Sequence, residues 1–361
     1  MHILITADTI GGVWTYTQEL ATGLVRRGHR VTLVSFGDMP QPEQLGWMAN
    51  LPIRYWPTAF RLEWMQDSEQ DIEESSHYLQ RIIDEVNPDI LHFNQYCYGS
   101  LRTNVPKIVV AHSDVISWWV GVYGREPDDT GWTRGYRETV LRGLRGADLV
   151  IAPSGWMLDV IRTYYLRPRF AKVVYNGRSP ELFSPNAKKK NFVLTVGRLW
   201  DAAKQSSLLS ERHCGVPVRI VGSVREPGKS DERSQDNAES CVSATPEELR
   251  TLFAEAPIYA ATSRYEPFGL APVEAAFSRC ALVANDIPVF HELWGDAACY
   301  FRQNDPDELG NAIRRLSEDP QTCKQYAERA YETAYTRFTA ERMLEDYETL
   351  YQALSVLEKV A

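Results

Sequence analysis

The sequence predicts an α/β protein of two Rossmann-like domains facing a central cleft. Three observations carry that reading. The chain has 361 residues, too long for one ordinary core and suited to two domains of common size. Short apolar runs alternate with helical segments, as in a parallel sheet covered on both faces. That rhythm breaks once, over "RSPELFSPNAKKKN" (178–191), and then restarts.

The first half opens on "HILITA" (2–7), a short apolar run. "GGVWTYTQELATGLVRRGH" follows as a loop and an amphipathic helix ended by Gly28. Further strands are expected at 30–36, 89–93, 107–113, 148–154 and 171–177. Pro180, Pro185 and the run Lys188–Lys190 make 178–191 a linker, with the lysines read as a solvated connector. In the second half strands are expected at 192–197, 216–222, 256–263, 280–286 and 297–301, and helices at 245–256, 271–278 and 306–319. The polar segment 224–240 reads as a mobile loop. The end is a long helical stretch broken near Phe338-Thr339. The expected domains are 1–177, then the linker, then 192–338, then a C-terminal helix over 339–361.

Composition narrows the function. Charges sum to 39 − 48 = −9, which argues against a nucleic-acid binder. The six cysteines form no CxxC pair and no zinc spacing, so reduced thiols in a cytoplasmic protein are expected. The start "MHILITADTIGG" lacks the basic, apolar pattern of a signal peptide, and no run reaches the ~18 apolar residues of a membrane span. "ADTIGGVW" lacks the dinucleotide fingerprint G-x-G-x-x-G. Asp305-Pro-Asp307 reads as the cap of a helix rather than a metal-binding Asp-x-Asp, so no metal is expected.

The richest stretch is "RYEPFGLAPVEAA" (264–276). Gly269 suits a strand-to-helix turn, and the N–H groups of a helix beginning near Ala271 favour an anion such as a diphosphate. Glu274 then falls in the first turn, and Glu266 on the loop before it. Two readings stay open for these carboxylates. They complement a helix dipole and solvent, or they accept hydrogen bonds from vicinal hydroxyls of one ligand. A nucleotide sugar offers two such hydroxyl pairs. Arg198 and Lys204, after the strand at 192–197, would stabilise charge growing on a departing diphosphate. His112, at the end of a strand, is either a hydrogen-bonded core histidine or a site residue.

Several stretches in fixed order carry a resemblance across nearly the whole chain. They are Gly11-Gly12 after the first strand, "AHS" with His112, "VYNGRSPELFSP" (174–185), "VGRLWDAAK" with Arg198 and Lys204, and Glu266-Pro-Phe-Gly-Leu-x-x-x-Glu274. The chain resembles retaining glycosyltransferases of the GT-B fold, family-four type, whose signature is E-x7-E. The resemblance implies that Glu266 contacts donor-sugar hydroxyls and Glu274 the nucleotide ribose. It implies a diphosphate held by backbone at Phe268, Gly269 and Leu270 and neutralised by Arg198 and Lys204. His112 would lie near the donor sugar, with Gly12 also on the donor side. It further implies retention at the anomeric carbon and a C-terminal helix crossing back to the N-terminal domain.

The donor would be a nucleotide-diphosphate sugar, with UDP, GDP and ADP all open, and base selection is placed around 221–225 and the polar loop after it. The acceptor is a sugar, lipid or small molecule, for which Gly11, Trp14 and Trp118 are the candidate contacts. Aromatics can stack on sugars, and they also fill ordinary cores. Arg134, Arg137, Arg142 and Arg145 lend one helix a basic character suited to peripheral membrane contact, with a solvated face as the alternative. Two further readings use the same architecture: a carbohydrate or nucleotide binder without turnover, and an epimerase acting at C2 of a nucleotide sugar. Arg279, where the family usually has a glycine turn, and Asn94, where a second histidine is frequent, are departures that give the binder some weight, but neither is a proposed catalytic group, so an active enzyme is expected.

Overall fold

A computed structural model describes residues 1–210, 214–223, 241–242 and 244–358. The chain divides into two compact units. One comprises Met1–Gly177 together with Ala340–Ala361, the other Arg178–Thr339. Residues 178–191 thus group with the second unit.

The first unit is built on seven strands: β1 (His2–Asp8), β2 (Arg30–Phe36), β3 (Ile53–Pro57), β4 (Ile90–Phe93), β5 (Lys107–Val110), β6 (Leu149–Ala152) and β7 (Ala171–Val173). They form one sheet in the order β3-β2-β1-β4-β5-β6-β7. Every pairing is parallel, with Ile3 opposite Val31 on one side and Ile90 on the other. Successive side chains of a strand point to opposite faces. Accordingly Ile3 and Ile5 enter one core with the helix Gly12–Arg26, and Leu4 enters the other with Leu79, Val140 and Ile161. The edge strand β3 was not expected from the sequence. None of its residues "IRYWP" is fully buried and Arg54 and Pro57 are exposed, so no apolar run announces it.

The C-terminal helix, Ala340–Glu358, packs on this first unit. Met343, Leu344, Tyr347 and Tyr351 join the core beside Leu20 and Leu24. Contact with the helix Gly12–Arg26 is close at Gly23, where a Cβ would stand 2.1 Å from a Leu344 methyl.

The second unit repeats the plan with β8 (Val193–Val196), β9 (Val218–Val221), β10 (Cys241–Val242), β11 (Ile258–Ala261), β12 (Ala281–Asn285) and β13 (Ala298–Phe301). Their order is β10-β9-β8-β11-β12-β13, again all parallel. Asp305 caps the helix Pro306–Glu318 by accepting from the N–H groups of Asp307 and Glu308. The Lys188–Lys190 run is not a plain solvated connector. Lys189 Nζ donates to the carbonyls of Ala256 (2.9 Å) and Ser278 (2.6 Å), and Lys190 pairs with Glu255 at 2.6 Å. Residues 224–240, expected as a polar loop involved in base selection, lie outside the described residues.

Each sheet reverses its strand order once, between β1 and β4 and between β8 and β11. In open α/β sheets ligands bind beyond the carboxyl ends of the strands at such switch points.

Candidate functional site

In the second unit the loops leaving β8 and β11 flank the switch point. They carry Arg198 and Lys204 on one side and Ser263 and Glu266 on the other. The loops are stitched together. Arg264 N donates to Ala203 O (2.9 Å), and Thr262 Oγ1 donates to Lys204 O (2.6 Å). Lys204 Nζ donates to Glu266 Oε2 at 2.5 Å, and Ser263 Oγ donates to the same oxygen at 3.0 Å. The pair is largely shielded, with 20% and 14% of the two side chains exposed. Glu266 folds back over Gly269, where a Cβ would meet Glu266 Cγ at 3.1 Å. Gly269 also holds φ +89°, a left-handed conformation that favours glycine.

Arg198 is held by Asp201, whose Oδ2 accepts from Nη2 at 2.8 Å. Asp201 also receives Ala203 N at 2.9 Å, capping the 3-10 turn Ala202–Lys204. One carboxylate therefore fixes both the turn that presents Lys204 and the head of Arg198. Asp201 and Ser263 had no role in the sequence reading. Their signal was present: an Asp one residue before "AAK" is a helix-cap pattern, and the Ser stands three residues before Glu266.

The helix after Gly269 runs Leu270–Phe277, one residue earlier than expected. Glu274 is its fifth residue and so lies past the first turn, not within it. The helix dipole acts mainly within that first turn. A cation accounts for the carboxylate instead: Arg178 Nε lies 2.8 Å from Glu274 Oε1. Phe268 packs its ring against Phe338 at 5.4 Å, which leaves its backbone as the part able to meet a ligand.

In the first unit Gly11 (φ +87°) precedes the helix Gly12–Arg26, and both glycines are exposed just beyond β1. Asn94 follows β4 on the other side of that switch point. It ties the neighbouring elements, donating from Nδ2 to Thr6 O (2.6 Å) and accepting at Oδ1 from His112 Nε2 (2.8 Å). That bond sets the Nε2–H tautomer of His112. Burial holds the His112 pKa well below the usual histidine value, so the ring is neutral and offers hydrogen bonding rather than charge. Its edge meets the Tyr16 ring at 4.6 Å. The departure at Asn94 thus has a structural partner in His112.

Behind it lies a fully buried polar cluster. His92 Nδ1 meets Tyr351 OH (2.7 Å), His92 Nε2 meets Tyr16 OH (3.1 Å), and Tyr16 OH donates to Tyr347 OH (2.6 Å). Desolvation lowers the His92 pKa to about 3.

Trp14, a candidate acceptor contact, belongs to the core instead. It is 6% exposed, its indole N–H donates to Gln44 O (3.2 Å), and Trp47 and Tyr55 close on it edge-on. Trp118 stays partly exposed on the helix Val115–Tyr123, grouped with Trp119 and Tyr123. The expected basic face is partly neutralised. Arg134 pairs with Asp129 (3.0 Å) and Arg137 with Glu126 (2.7 Å). Among the described residues no helix is long and apolar enough to cross a membrane.

Known proteins share this plan. The model of Glycosyltransferase Family 4 matches residues 10–182, and that of Glycosyl transferases group 1 matches residues 180–333. The O-antigen chain mannosyltransferase RfbU of Salmonella typhimurium is 24% identical over 177 residues. That match covers 46% of this chain and 50% of the relative, so it spans about half of the relative's length. The alpha-maltose-1-phosphate synthase of Mycolicibacterium smegmatis is 24% identical over 71% of this chain and 75% of its own. Among solved structures, sucrose-phosphate synthase from Thermosynechococcus elongatus superposes with a TM-score of 0.78 at 18% identity, covering 99% of this chain and 100% of that one. Anabaena HepE in complex with UDP-glucose reaches 0.75 at 19% identity, covering 98% and 100%. With two family models running in succession from residue 10 to residue 333 over two Rossmann-like sheets, the chain belongs to the glycosyltransferases of the GT-B fold, family-four type.

Proposed function

We propose that this glycosyltransferase moves a hexose from a nucleotide-diphosphate sugar to an acceptor hydroxyl, with retention at the anomeric carbon and without a metal. The observation that carries the reading is the stitched pair of loops at the second switch point. They pair Lys204 with Glu266 and hold Arg198 through Asp201 on the same loop, beyond the strand ends. In this reading the diphosphate takes the cations, and Glu266 turns from Lys204 to the sugar hydroxyls. Glu274 receives the ribose hydroxyls. Backbone at Gly269 and Leu270 meets the diphosphate. A bound UDP-glucose in the similar fold of HepE supports a nucleotide sugar as donor class.

The chemistry asks little covalent work of the protein. The anomeric carbon–phosphate oxygen bond breaks and the bond to the acceptor oxygen forms on the same face. The acceptor proton passes to the departing phosphate oxygen. Arg198 and Lys204 stabilise the charge that grows there, and the fixed loops supply orientation. Glu266 is held within bonding distance of Lys204, and no second carboxylate is assigned to the reacting sugar, so a double displacement through paired carboxylates has no assigned partner.

The test is a panel of UDP-, GDP- and ADP-sugars offered with simple sugar and lipid acceptors. Nucleotide release and the anomeric proton coupling of the product are followed by NMR. Release with a product of donor configuration is the expected result. An inverted product would overturn the stereochemical reading. Binding without release would favour a non-catalytic binder, and a C2-epimerised donor would favour an epimerase.

A further inference from the structure

Arg178 stands at the first residue of the second unit, in a stretch that reads from sequence as linker. Its backbone N–H donates to Phe338 O at 3.0 Å, and it bridges Thr339 in parallel. These are the residues just before the chain returns to the first unit. Its guanidinium lies 5.6 Å over the Phe183 ring. Phe183 in turn stacks on Phe277 at 6.0 Å, on the same helix as Glu274. Backbone pairing and an aromatic stack therefore hold Arg178 in one place, and from there Nε reaches Glu274 Oε1 at 2.8 Å. Only 9% and 12% of the two side chains are exposed.

A carboxylate so buried is ionised only when a charge or several donors compensate it. Two vicinal hydroxyls need such an ionised, fixed acceptor, and a site built around them discriminates strongly against an analogue lacking them. We infer that Arg178 is the positioning residue of the nucleotide subsite, holding Glu274 charged and oriented so that it selects a ribose carrying both hydroxyls. This rests on the assignment of Glu274 to the ribose made above. Arg178 acts through Glu274 and does not itself touch the donor. Lysine is a poor substitute, because a point charge lacks the planar guanidinium that lies over Phe183 with its Nε beside Glu274.

Calorimetric titration of the full chain with UDP, GDP and ADP, each beside its 2′,3′-dideoxy form, reads the inference. For the ribonucleotide that binds, the wild type should prefer it over the dideoxy form by about 10-fold or more. Arg178→Met should bring that ratio below about 3-fold, with affinity for the dideoxy form unchanged. Arg178→Lys should give an intermediate ratio, and it provides the reading if the Met variant does not fold. A structural ion pair alone would lower the melting temperature and leave the ratio alone. A wild-type ratio in folded Arg178→Met, or in Arg178→Lys where Met fails, overturns the inference. Glu274→Gln separates the two levels. If its ratio collapses while the Arg178 variants keep theirs, the positioning role alone is wrong. If Glu274→Gln keeps the wild-type ratio, or no ribonucleotide binds the wild type, the ribose assignment fails and takes the inference with it.

Discussion

Acid should loosen the first unit through His92. The ring is 0% exposed, wedged between the hydroxyls of Tyr16 and Tyr351, and desolvation lowers its pKa to about 3 from the ordinary 6.5. Tyr16, Tyr347 and Tyr351 stay neutral, their own pKa values raised by burial. Above pH 6.5 the ring is neutral whether folded or unfolded, and its full contribution to stability is present. Below that the unfolded ring takes a proton that the folded ring refuses, so stability falls as pH falls toward about 3. Going from pH 7 to pH 5 crosses about 1.5 units of that window, worth about 2 kcal/mol. His112, also lowered, acts in the same direction. The assay is urea unfolding followed by tryptophan fluorescence, since every tryptophan except Trp200 and Trp294 lies in the first unit. His92→Gln will lose stability at both pH values, but its loss between them should be smaller than the wild type's by about 2 kcal/mol. Equal losses in the two proteins would refute the reasoning.

Lys204→Met should lower kcat/KM by about 100-fold or more, as removal of one group stabilising developing charge does; nucleotide release within threefold of wild type would count against the donor site. Arg279 sits at φ +54° while its side chain pairs with Glu328 (3.2 Å) and lies over Tyr331 (4.5 Å). Glycine and alanine both remove those contacts, and only glycine relieves the left-handed backbone. Arg279→Gly should therefore be more stable than Arg279→Ala by about 1 kcal/mol in thermal unfolding, and the reverse order would sink the idea. Lys189→Met strips a donor from the carbonyls of Ala256 and Ser278 and should cost about 1–3 kcal/mol, whereas the exposed Lys188→Met should stay within about 0.5 kcal/mol. Incubation with EDTA should leave turnover unchanged; loss restored by Mn²⁺ would contradict the metal-free reading.

Both sheets were legible because central parallel strands are buried on two faces and so read as apolar runs. β3 escaped for the opposite reason: an edge strand with Arg54 exposed and Tyr55 and Trp56 half-buried has no such run. Arg198, Lys204 and Glu266 stood out in the sequence as residue types that would suit a diphosphate and a sugar, the roles proposed above. What sequence did not show was how they pair. Asp201 on Arg198 is a local cap, readable in hindsight, but Arg178 on Glu274 joins residues 96 positions apart (274 − 178) inside a stretch rich in proline and lysine. Charge runs look alike whether solvated or anchored, and Lys189 turned out to be anchored. Trp14 shows the converse limit: beside a glycine pair an aromatic could be a ligand platform or a core residue, and its position on the inner face of an amphipathic helix puts it in the core.

The discontinuity of the first unit has a consequence during synthesis. Its core is missing Met343, Leu344, Tyr347 and Tyr351 until the helix Ala340–Glu358 has been made, and the seat at Gly23 stays open meanwhile. At about 5–20 residues per second, translating residues 178–339 takes roughly 10–30 s. The second unit is contiguous and can fold as it emerges, while the N-terminal residues wait on the ribosome with an apolar groove and the ring of His92 uncovered. The nascent first unit is therefore the stage most exposed to chaperone capture and misassembly, and completion of the last helix closes it.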